Sequence, residues 1–287
     1  MKLKLRTSSS IQPFREKAEK ALGLKRYDYK VDGYDTPVVF LGLYHKGDYD
    51  SFKRPRVKRY VLWCGGDIQN FKRGYLYGDG KGLWKSKIAR FFSWQDKIRK
   101  TEAEHFCENE NQQEALEKLG IKAKVVPAFW GEINDFPISF KPSNNPLTFI
   151  SMRKEREREY GIIDVYWLAT KLKNFTFHIY GVNQYEDFIK PNIIYHGEIP
   201  SDQFDKEIKD YHCCLRPNKH DGLSDAVMKC LLNGGYPITR IKYPHIWNYN
   251  TNNQLIHLLK RLQKTTKPNI EGRNYYRKVL NQYPFLK

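Results

Sequence analysis

Short apolar runs alternate with amphipathic segments along most of the 287-residue chain, and this alternation limits its possible folds more than any other feature. Runs such as TPVVFLGLY, RYVLWC and FTFHIYG are typical of buried strands, because they are short and bounded by turn residues. Segments such as NQQEALEKLG and NNQLIHLLKRLQK carry apolar residues at helical spacing. Repeated alternation of strand and helix predicts parallel sheets covered by helices. We therefore expect an α/β protein built on Rossmann-like, parallel-sheet domains.

One stretch, GEINDFPISFKPSNNP, interrupts this alternation, since it is rich in Pro, Asn and Ser and has no clear period. It predicts a linker at 131–146 between an N-terminal Rossmann-like domain at 1–130 and a second domain at 147–255. Helical periodicity after that indicates a C-terminal helical tail at 256–287. Because open α/β sheets bind ligands at the carboxyl ends of their strands, we expect the ligand site in the cleft between the two domains.

The composition excludes several classes of protein. Apolar residues make up 40% of the chain and aromatic residues 15%, which is too rich for a disordered chain. No apolar run approaches the length of a membrane span, and MKLKLRTSSS lacks the apolar stretch of a signal peptide. The 5 cysteines form no CxxC pair, so reduced, buried thiols are expected. Dinucleotide, P-loop and HExxH motifs are absent. These features predict a cytoplasmic protein.

The net charge of +18 comes from two parts of the chain. Residues 51–100 hold 14 basic and 3 acidic side chains, and residues 251–287 hold 8 basic and 1 acidic. Both parts interleave basic with aromatic residues. That mixture suits binding to nucleic acid, and it equally suits an anionic membrane surface. A solubilising surface is the third explanation.

The segment HCCLRPNKHDGLSDAVMKC carries the clearest sign of chemistry. It reads as a strand, a loop and a helix, and polar residues gather where the strand ends and the helix starts. Free N–H groups at such a helix start can hold a phosphate, and Gly222 leaves room for close approach. The alternative is that Asp221 or Ser224 only caps the helix.

This segment resembles the C-terminal domain of retaining GT-B glycosyltransferases of the group 1, or family 4, type. The matching motifs are DGL at 221–223, which opens the helix, and GYPI at 235–238, which forms the next strand. FISMRKER resembles the first strand of that domain, so Arg153 and Lys154 stand where basic residues meet the donor diphosphate. IIYHGEIP resembles the strand and glycine turn before the nucleotide pocket, at Gly197.

The resemblance implies a GT-B fold, with C-terminal helices that cross back to the N-terminal domain. It implies an enzyme that moves a hexosyl or pentosyl group from a nucleotide sugar with retention of configuration. It also implies neither a metal nor any other cofactor. The residues implied to bind the donor are Arg153, Lys154, Gly181, Gly197, Arg216, His220, Asp221, Gly222, Leu223, Ser224 and Lys229.

Lys229 departs from the family pattern. Eight residues after the first acid, the family has a second Glu that usually holds the donor ribose, and a lysine cannot accept those hydrogen bonds. Either the donor is held differently, or Lys229 touches phosphate, or activity is impaired. An ion pair with Asp225, one helical turn away, is a further alternative.

In the N-terminal half, Gly65, Gly66 and Asp67 follow a predicted strand, so Asp67 is expected to orient the acceptor or act as its base. The alternative is a turn aspartate after two glycines. His45 follows the strand at 37–43 and is the second catalytic candidate. The residues expected to bind the acceptor are Gly65, Gly66, Arg73 and Lys85.

The basic segments predict a polyanionic acceptor or one that sits on a polyanionic surface. The sequence slightly favours a hydroxymethylated base in DNA, since basic–aromatic interleaving extends through loops and a flipped base would reach the cleft. A lipid-linked or surface glycan at an anionic membrane is the alternative, and would place the protein on the inner membrane face. A third possibility is a non-catalytic protein that binds nucleic acid or glycan. Nothing in the sequence indicates an obligate protein partner.

Overall fold

The computed structural model describes residues 2–72, 94–149 and 157–287. The chain forms two compact units. Unit 1 is Met1–Trp130 together with Asn281–Lys287, and unit 2 is Gly131–Leu280. Residues 131–146, the expected linker, belong to unit 2 and include a 3-10 turn at Ile133–Asp135.

Unit 1 is built on a sheet whose paired strands are all parallel. Its strands are β1 (Lys4–Thr7), β2 (Lys25–Arg26), β3 (Val38–Leu41), β4 (Arg59–Leu62), β5 (Glu104–Cys107) and β6 (Ala123–Val125). Its helices are α1 (Arg15–Leu22), α2 (Tyr29–Asp32), α3 (Lys46–Phe52), α4 (Gly66–Lys72), α5 (Trp94–Lys100) and α6 (Glu110–Glu117). The described strands run in the order β2-β1-β3-β4-β5-β6.

Strand β3 shows why this sheet is buried on both faces. All four of its residues are buried. Val38 and Phe40 pack in one apolar cluster with Phe52, while Val39 and Leu41 pack in another on the opposite face. Because side chains alternate along a strand, an unbroken apolar run is what a doubly covered parallel strand requires.

The last seven residues pack on unit 1. The Asn281 side chain accepts from the backbone N–H of Phe129 at 3.0 Å and donates to its carbonyl at 2.7 Å. The Tyr283 ring is buried in the cluster that contains Leu41, and it meets the Phe106 ring edge-on at 5.6 Å. The chain therefore ends as part of the N-terminal unit, although helix 270–279 before it belongs to unit 2.

Unit 2 repeats the same architecture. Its strands are β7 (Leu147–Phe149), β8 (Phe177–Tyr180), β9 (Ile193–Gly197), β10 (Cys214–Arg216), β11 (Ile238–Thr239) and β12 (Trp247–Asn248). Its helices are α7 (Glu157–Tyr160), α8 (Ile162–Lys171), α9 (Ser201–Glu207), α10 (Asp225–Leu232), α11 (Asn252–Gln263) and α12 (Ile270–Val279). The described strands are parallel, in the order β12-β11-β10-β7-β8-β9. The α/β class and the parallel sheets predicted from the sequence are confirmed.

Two local features differ from the simplest interpretation of the sequence. The sequence of residues 159–174, EYGIIDVYWLATKLKN, predicts a single helix, but the helix is divided at Gly161, which adopts a φ of +80° between α7 and α8. Strand β2 and helices α2, α3 and α4 have too few residues for a periodic pattern and are not visible in the sequence. The segment SKIARFFSWQDKIRK at 86–100 predicts an amphipathic helix with a basic outer face; only its last part, Trp94–Lys100, lies among the described residues, and it is helical.

Candidate functional site

In unit 2, the parallel strands bring several of the predicted donor-binding residues to one edge of the sheet. Gly181 directly follows β8, Gly197 ends β9, and the loop 217–224 joins β10 to α10. The Gly181 N–H donates to the Gly197 carbonyl at 2.8 Å. Both glycines have a positive φ, of +85° and +73°, which other residues rarely adopt. These two turns are therefore fixed at the carboxyl edge.

Arg216 and Asp221 form an ion pair within the loop, with Nε and Oδ2 2.6 Å apart. The arginine is buried, while the aspartate is partly exposed. The Gly222 carbonyl accepts a hydrogen bond from the buried Tyr243 hydroxyl. The Asp221 carboxylate thus pairs with Arg216, and the N-cap position of the following helix is Ser224.

Two helices begin at this edge without a side-chain cap among the described residues. Ser224 is the N-cap of α10, but its side chain makes no capping hydrogen bond. Gly161 is the N-cap of α8 and has no side chain. A Cβ added to Gly161 would lie 2.5 Å from the Pro217 Cβ, so the start of α8 packs directly against the β10 loop. Neither N-cap side chain therefore satisfies the first N–H groups of its helix, and such a helix start is suited to hold an anion.

Three residues at this edge were not predicted from the sequence as binding residues. Gly161 and Tyr243 shape the loop as described. Asn218 is buried, and within the described part of the chain its Oδ1 has no hydrogen-bond partner. A buried amide oxygen without a donor is costly, so this atom is suited to accept from a ligand. The asparagine was visible in RPNKHDG, yet nothing in the sequence showed that it would be buried.

The Lys229 side chain is held in ion pairs within unit 2. Its side chain is buried in α10, and its ammonium pairs with Asp205 from α9 and with Asp225 Oδ2 at 2.5 Å. Burial alone would lower the pKa of Lys229, but the two carboxylates reverse this and raise it above its usual value. The lysine therefore joins two helices, and the ion pair with Asp225 is the alternative that the structure adopts.

The remaining predicted residues are distributed as follows. His220 is exposed in the loop, and Leu223 is buried. Arg153 and Lys154, expected at the donor diphosphate, and Arg73 and Lys85, expected at the acceptor, lie outside the described residues.

In unit 1, the carboxyl edge is tied together by carboxylates. Asp67 has no exposed surface. Its Oδ1 accepts from the N–H groups of Cys64 and Ile68 at 3.0 and 2.9 Å, and its Oδ2 accepts from the Leu43 N–H at 3.1 Å. Burial outweighs these hydrogen bonds and raises the pKa of Asp67 to about 7. In this structure Asp67 therefore joins the loops after β3 and β4, and it has no surface with which to touch an acceptor.

His45 lies at the exposed rim of the same edge. It caps α3, where it forms a reciprocal capping box with the buried Asp48. Its Nε2 lies 2.6 Å from the Ser9 hydroxyl, and its Nδ1 lies 3.5 Å from Asp48 Oδ2. Asp48 Oδ2 also accepts from the Ser8 hydroxyl at 2.6 Å. The sequence indicated His45, but not Ser8, Ser9 or Asp48. Ser9 is 36 residues from His45 in the chain, and Ser8 is 40 residues from Asp48. Asp48 lies in the first turn of the helix that His45 caps.

The glycine pair at 65–66 makes room for an aromatic ring. Gly65 has a φ of +90°, and a Cβ on Gly66 would lie 3.1 Å from the Tyr44 ring. A Cβ on Gly42 would approach that ring to 2.5 Å. Tyr44 therefore lies over the glycines that the sequence had suggested for the acceptor, and it is only partly buried.

Among residues 2–72, 94–149 and 157–287, no group of three or more His, Cys, Asp or Glu side chains is arranged to hold a metal ion. Within those same ranges, no helix is long and apolar enough to cross a membrane.

No protein-family model and no curated protein sequence matches the chain. Solved structures do match its fold. Sucrose-phosphate synthase from Thermosynechococcus elongatus has a TM-score of 0.62 at 9% identity, over 88% of this chain and 71% of its own. WaaG, a glycosyltransferase of lipopolysaccharide biosynthesis, has a TM-score of 0.55 at 11% identity, over 100% and 96%.

TarM from S. aureus, solved in complex with UDP, matches with a TM-score of 0.57 at 14% identity, over 86% of this chain. The chain spans only about half of TarM, 53% of its length. At such identities the likeness concerns the fold. These neighbours are GT-B glycosyltransferases, and the chain has the GT-B fold.

Proposed function

We propose that the protein is a glycosyltransferase that moves a sugar from a nucleotide-sugar donor to a hydroxyl on a polyanionic acceptor. The observation that carries this proposal is the carboxyl edge of unit 2. There, α8 and α10 both begin without a side-chain cap among the described residues, beside the buried Arg216. Free N–H groups and a nearby guanidinium are what a diphosphate needs.

The reaction requires few reactive side chains. The acceptor oxygen bonds to the anomeric carbon as the bond from that carbon to the diphosphate oxygen breaks, and the nucleoside diphosphate leaves with the electron pair. Hydrogen-bond donors aimed at the leaving oxygens stabilise the developing charge. We propose Arg153 and Lys154 as further cations there, and we expect transfer to need no metal.

The acceptor's proton needs a base within hydrogen-bond reach, or it passes to the donor phosphate. His45 is the candidate side chain with an exposed ring at the carboxyl edge of unit 1. Asp67 is buried and bonded to three N–H groups, so we assign it to holding the loops.

UDP-sugars are the first donors to offer, because TarM, whose fold is similar, binds UDP in its solved complex. Retention of configuration, which the sequence resemblance implied, is the expected stereochemical outcome. It would be read from the anomeric coupling constant of the product by NMR.

A hydroxymethylated base in DNA is our first acceptor, because of the basic and aromatic residues interleaved in 51–100. The second candidate is a lipid-linked or surface glycan at an anionic membrane. It is favoured by exposed apolar residues next to cations in unit 1, among them Val31 and Val57.

The deciding experiment is a mass-spectrometric transfer assay. The purified chain is given UDP-, GDP- and ADP-sugars with hydroxymethylated duplex DNA in one arm and glycolipid in anionic vesicles in the other. We expect a sugar-mass increment on one acceptor, unchanged by EDTA. Arg216→Gln should abolish it, whereas Arg99→Gln, which breaks an exposed ion pair of 2.7 Å in unit 1, should not.

Donor hydrolysis without transfer would support the enzyme and reject both acceptors. Binding of DNA or glycan with neither transfer nor hydrolysis would favour the non-catalytic alternative.

A further inference from the structure

Two short segments of unit 1 lie side by side and form one surface. They are residues 29–34, which contain α2, and residues 53–58, which precede β4. The Arg56 N–H donates to the Tyr34 carbonyl at 2.7 Å, and the Arg54 guanidinium stacks 3.8 Å from the centre of the Tyr29 ring. We call residues 29–34 and 53–58 the Val31 surface.

Apolar side chains stand out into solvent on this surface. Val31 is 82% exposed, Tyr34 43% and Val57 36%. A single exposed apolar residue is ordinary, but three on adjoining segments form a patch. Among the described residues, Val31 belongs to neither of the two apolar clusters of unit 1 given above.

The same two segments are rich in cations. The two segments hold Lys30, Lys53, Arg54, Arg56 and Lys58, against Asp32 as their only acid. Asp32 is already neutralised by Lys4, with Nζ and Oδ1 2.8 Å apart. The Arg56 guanidinium lies 5.6 Å from the centre of the Tyr34 ring, so its charge is held beside the patch.

Arg6, a half-buried residue of unit 1, is a further cation that interacts with this surface. It lies on β1, and its Nε has no hydrogen-bond partner in the described chain. Burial lowers the pKa of Arg6, and repulsion from Arg54 and Arg26 adds to this effect although Asp48 opposes it.

We propose that the Val31 surface docks unit 1 on an anionic lipid bilayer, with the apolar side chains entering the headgroup boundary and the cations facing lipid phosphates. The combination distinguishes this partner from a polynucleotide. Cations serve both, but a protruding aliphatic side chain gains free energy only where it leaves water, and a phosphate backbone provides no such medium. The inference rests on the membrane form of the proposed function, and docking can be measured without sugar transfer, so either can fail alone.

The test measures binding of the full chain to vesicles of phosphatidylcholine, with and without phosphatidylglycerol, by co-sedimentation. Val31→Ser should lower the partition coefficient on anionic vesicles by about tenfold, and Arg56→Gln by about fivefold, because one valine and one cation are removed. Ile189→Ser and Lys173→Gln, exposed residues of unit 2, are the matched controls and should bind as the wild type does. Arg56→Gln keeps its backbone bond to Tyr34, and thermal melting of each variant checks that unit 1 is folded.

The same proteins are titrated with unmodified duplex DNA. The proposal predicts that Val31→Ser leaves DNA binding unchanged while it weakens vesicle binding. Equal binding to neutral and anionic vesicles would overturn it. So would a Val31→Ser variant that binds anionic vesicles as the wild type does. If only the cation change weakens binding, and does so equally on DNA and vesicles, the surface is a general polyanion site and the bilayer assignment fails.

Discussion

The carboxyl edges of the two sheets are built from similar strands and loops, yet they differ in whether side chains accept the backbone N–H groups there. In unit 1, Asp48 and Asp67 are buried and accept backbone N–H groups from the loops around them. In unit 2, α8 and α10 start with no side-chain cap among the described residues, and the Asp221 carboxylate bonds to Arg216 instead. The first edge satisfies its own donors, whereas the second leaves donors for a ligand.

A carboxylate near a strand end is structural when it accepts hydrogen bonds from the backbone N–H groups of the surrounding loops. A carboxylate that satisfies neighbouring N–H groups removes the anion site that a helix start would otherwise provide. Aspartate therefore has different roles in the two units. Asp67, which follows Gly66, accepts backbone N–H groups, whereas Asp221, which precedes Gly222, pairs with Arg216. We expect substitutions at the unit 1 edge to change stability, and substitutions at the unit 2 edge to change donor binding.

The largest effect is expected where a buried charge in unit 2 is reversed. Lys229→Glu would restore the acid that the family pattern has at this position, but it would bury a third carboxylate beside Asp205 and Asp225. Breaking a buried ion pair costs about 3–5 kcal/mol, and the added repulsion works in the same direction. Urea unfolding should show a loss of at least that order.

Lys229→Met is the matched control, since it keeps the volume and removes the charge. It should cost clearly less than Lys229→Glu. If Lys229→Glu were as stable as the wild type and bound donor more tightly, the lysine would be a substitute for the family acid and not a structural bridge.

The second largest effect is expected when the carboxylate that joins the loops at the unit 1 edge is removed. Asp67→Ala leaves the N–H groups of Leu43, Cys64 and Ile68 without their acceptor, and each unsatisfied buried donor costs about 1–3 kcal/mol. We expect a loss of about 3 kcal/mol in the unfolding free energy and no change in donor affinity, measured by calorimetry with UDP. A large fall in donor affinity at unchanged stability would contradict the assignment.

The pH dependence of stability gives Asp67 a separate signature. Its pKa is raised from 3.8 to about 7 in the folded chain, so the folded state binds the extra proton between those values. The stability that this proton contributes is full below the unfolded pKa and is lost as the pH rises through about 7. Asp67→Asn should flatten that part of the stability–pH curve.

The fold was predictable because strands β3, β4 and β8 lie in short, mainly apolar runs and helix α11 has a clear helical period. The site was only partly predictable. Arg216 and Asp221 stand in one loop, and their pairing follows from proximity in sequence. The contact of Gly161 with Pro217, and that of Ser9 with His45, join residues 36 or more positions apart, so only the folded chain shows them.

Burial explains why Asp67 and Lys229 have surroundings that the sequence did not predict. GGD after a strand suggested an exposed Asp67, but the backbone N–H groups around it required an internal acceptor. Lys229 in a helix suggested a site residue, but its neighbour α9 supplied Asp205. Neither the donor groups nor the second acid can be read from the local pattern, because both depend on which loops and helices meet.

The third largest effect is expected at the start of α8, on the carboxyl edge of unit 2. Gly161→Ala requires a left-handed backbone at +80°, and its Cβ would meet Pro217, so the start of α8 must move. We expect donor affinity to fall by at least tenfold, which is about 1.4 kcal/mol. Gly23→Ala is the matched control, because Gly23 is also left-handed, at +64°, but has open space around it. It should cost about 1 kcal/mol of stability and leave donor affinity unchanged.

The smallest change in stability, and the sharpest separation of roles, is expected at His45. His45 caps α3 and is also our candidate base, so His45→Ala confounds the two functions. Asparagine is among the best N-cap residues, whereas it cannot take up a proton at neutral pH. His45→Asn should therefore change the unfolding free energy by less than about 0.5 kcal/mol, while the rate of transfer falls by about a hundredfold, the low end for a general base.

The geometry sets the condition for that loss of rate. In the capping box the ring accepts from the Asp48 N–H, so Nε2 can take up a proton, next to the Ser9 hydroxyl, only in the other tautomer, in which Nδ1–H points instead to Asp48 Oδ2, 3.5 Å away. Ser9→Ala removes the nearer hydroxyl without disturbing the cap, so it separates ring orientation from proton transfer. If His45→Asn transfers sugar at the wild-type rate, His45 is only a helix cap. Asp48, Asp67 and His45 would then all be structural, and transfer of the acceptor's proton to the donor phosphate would be the route to test next.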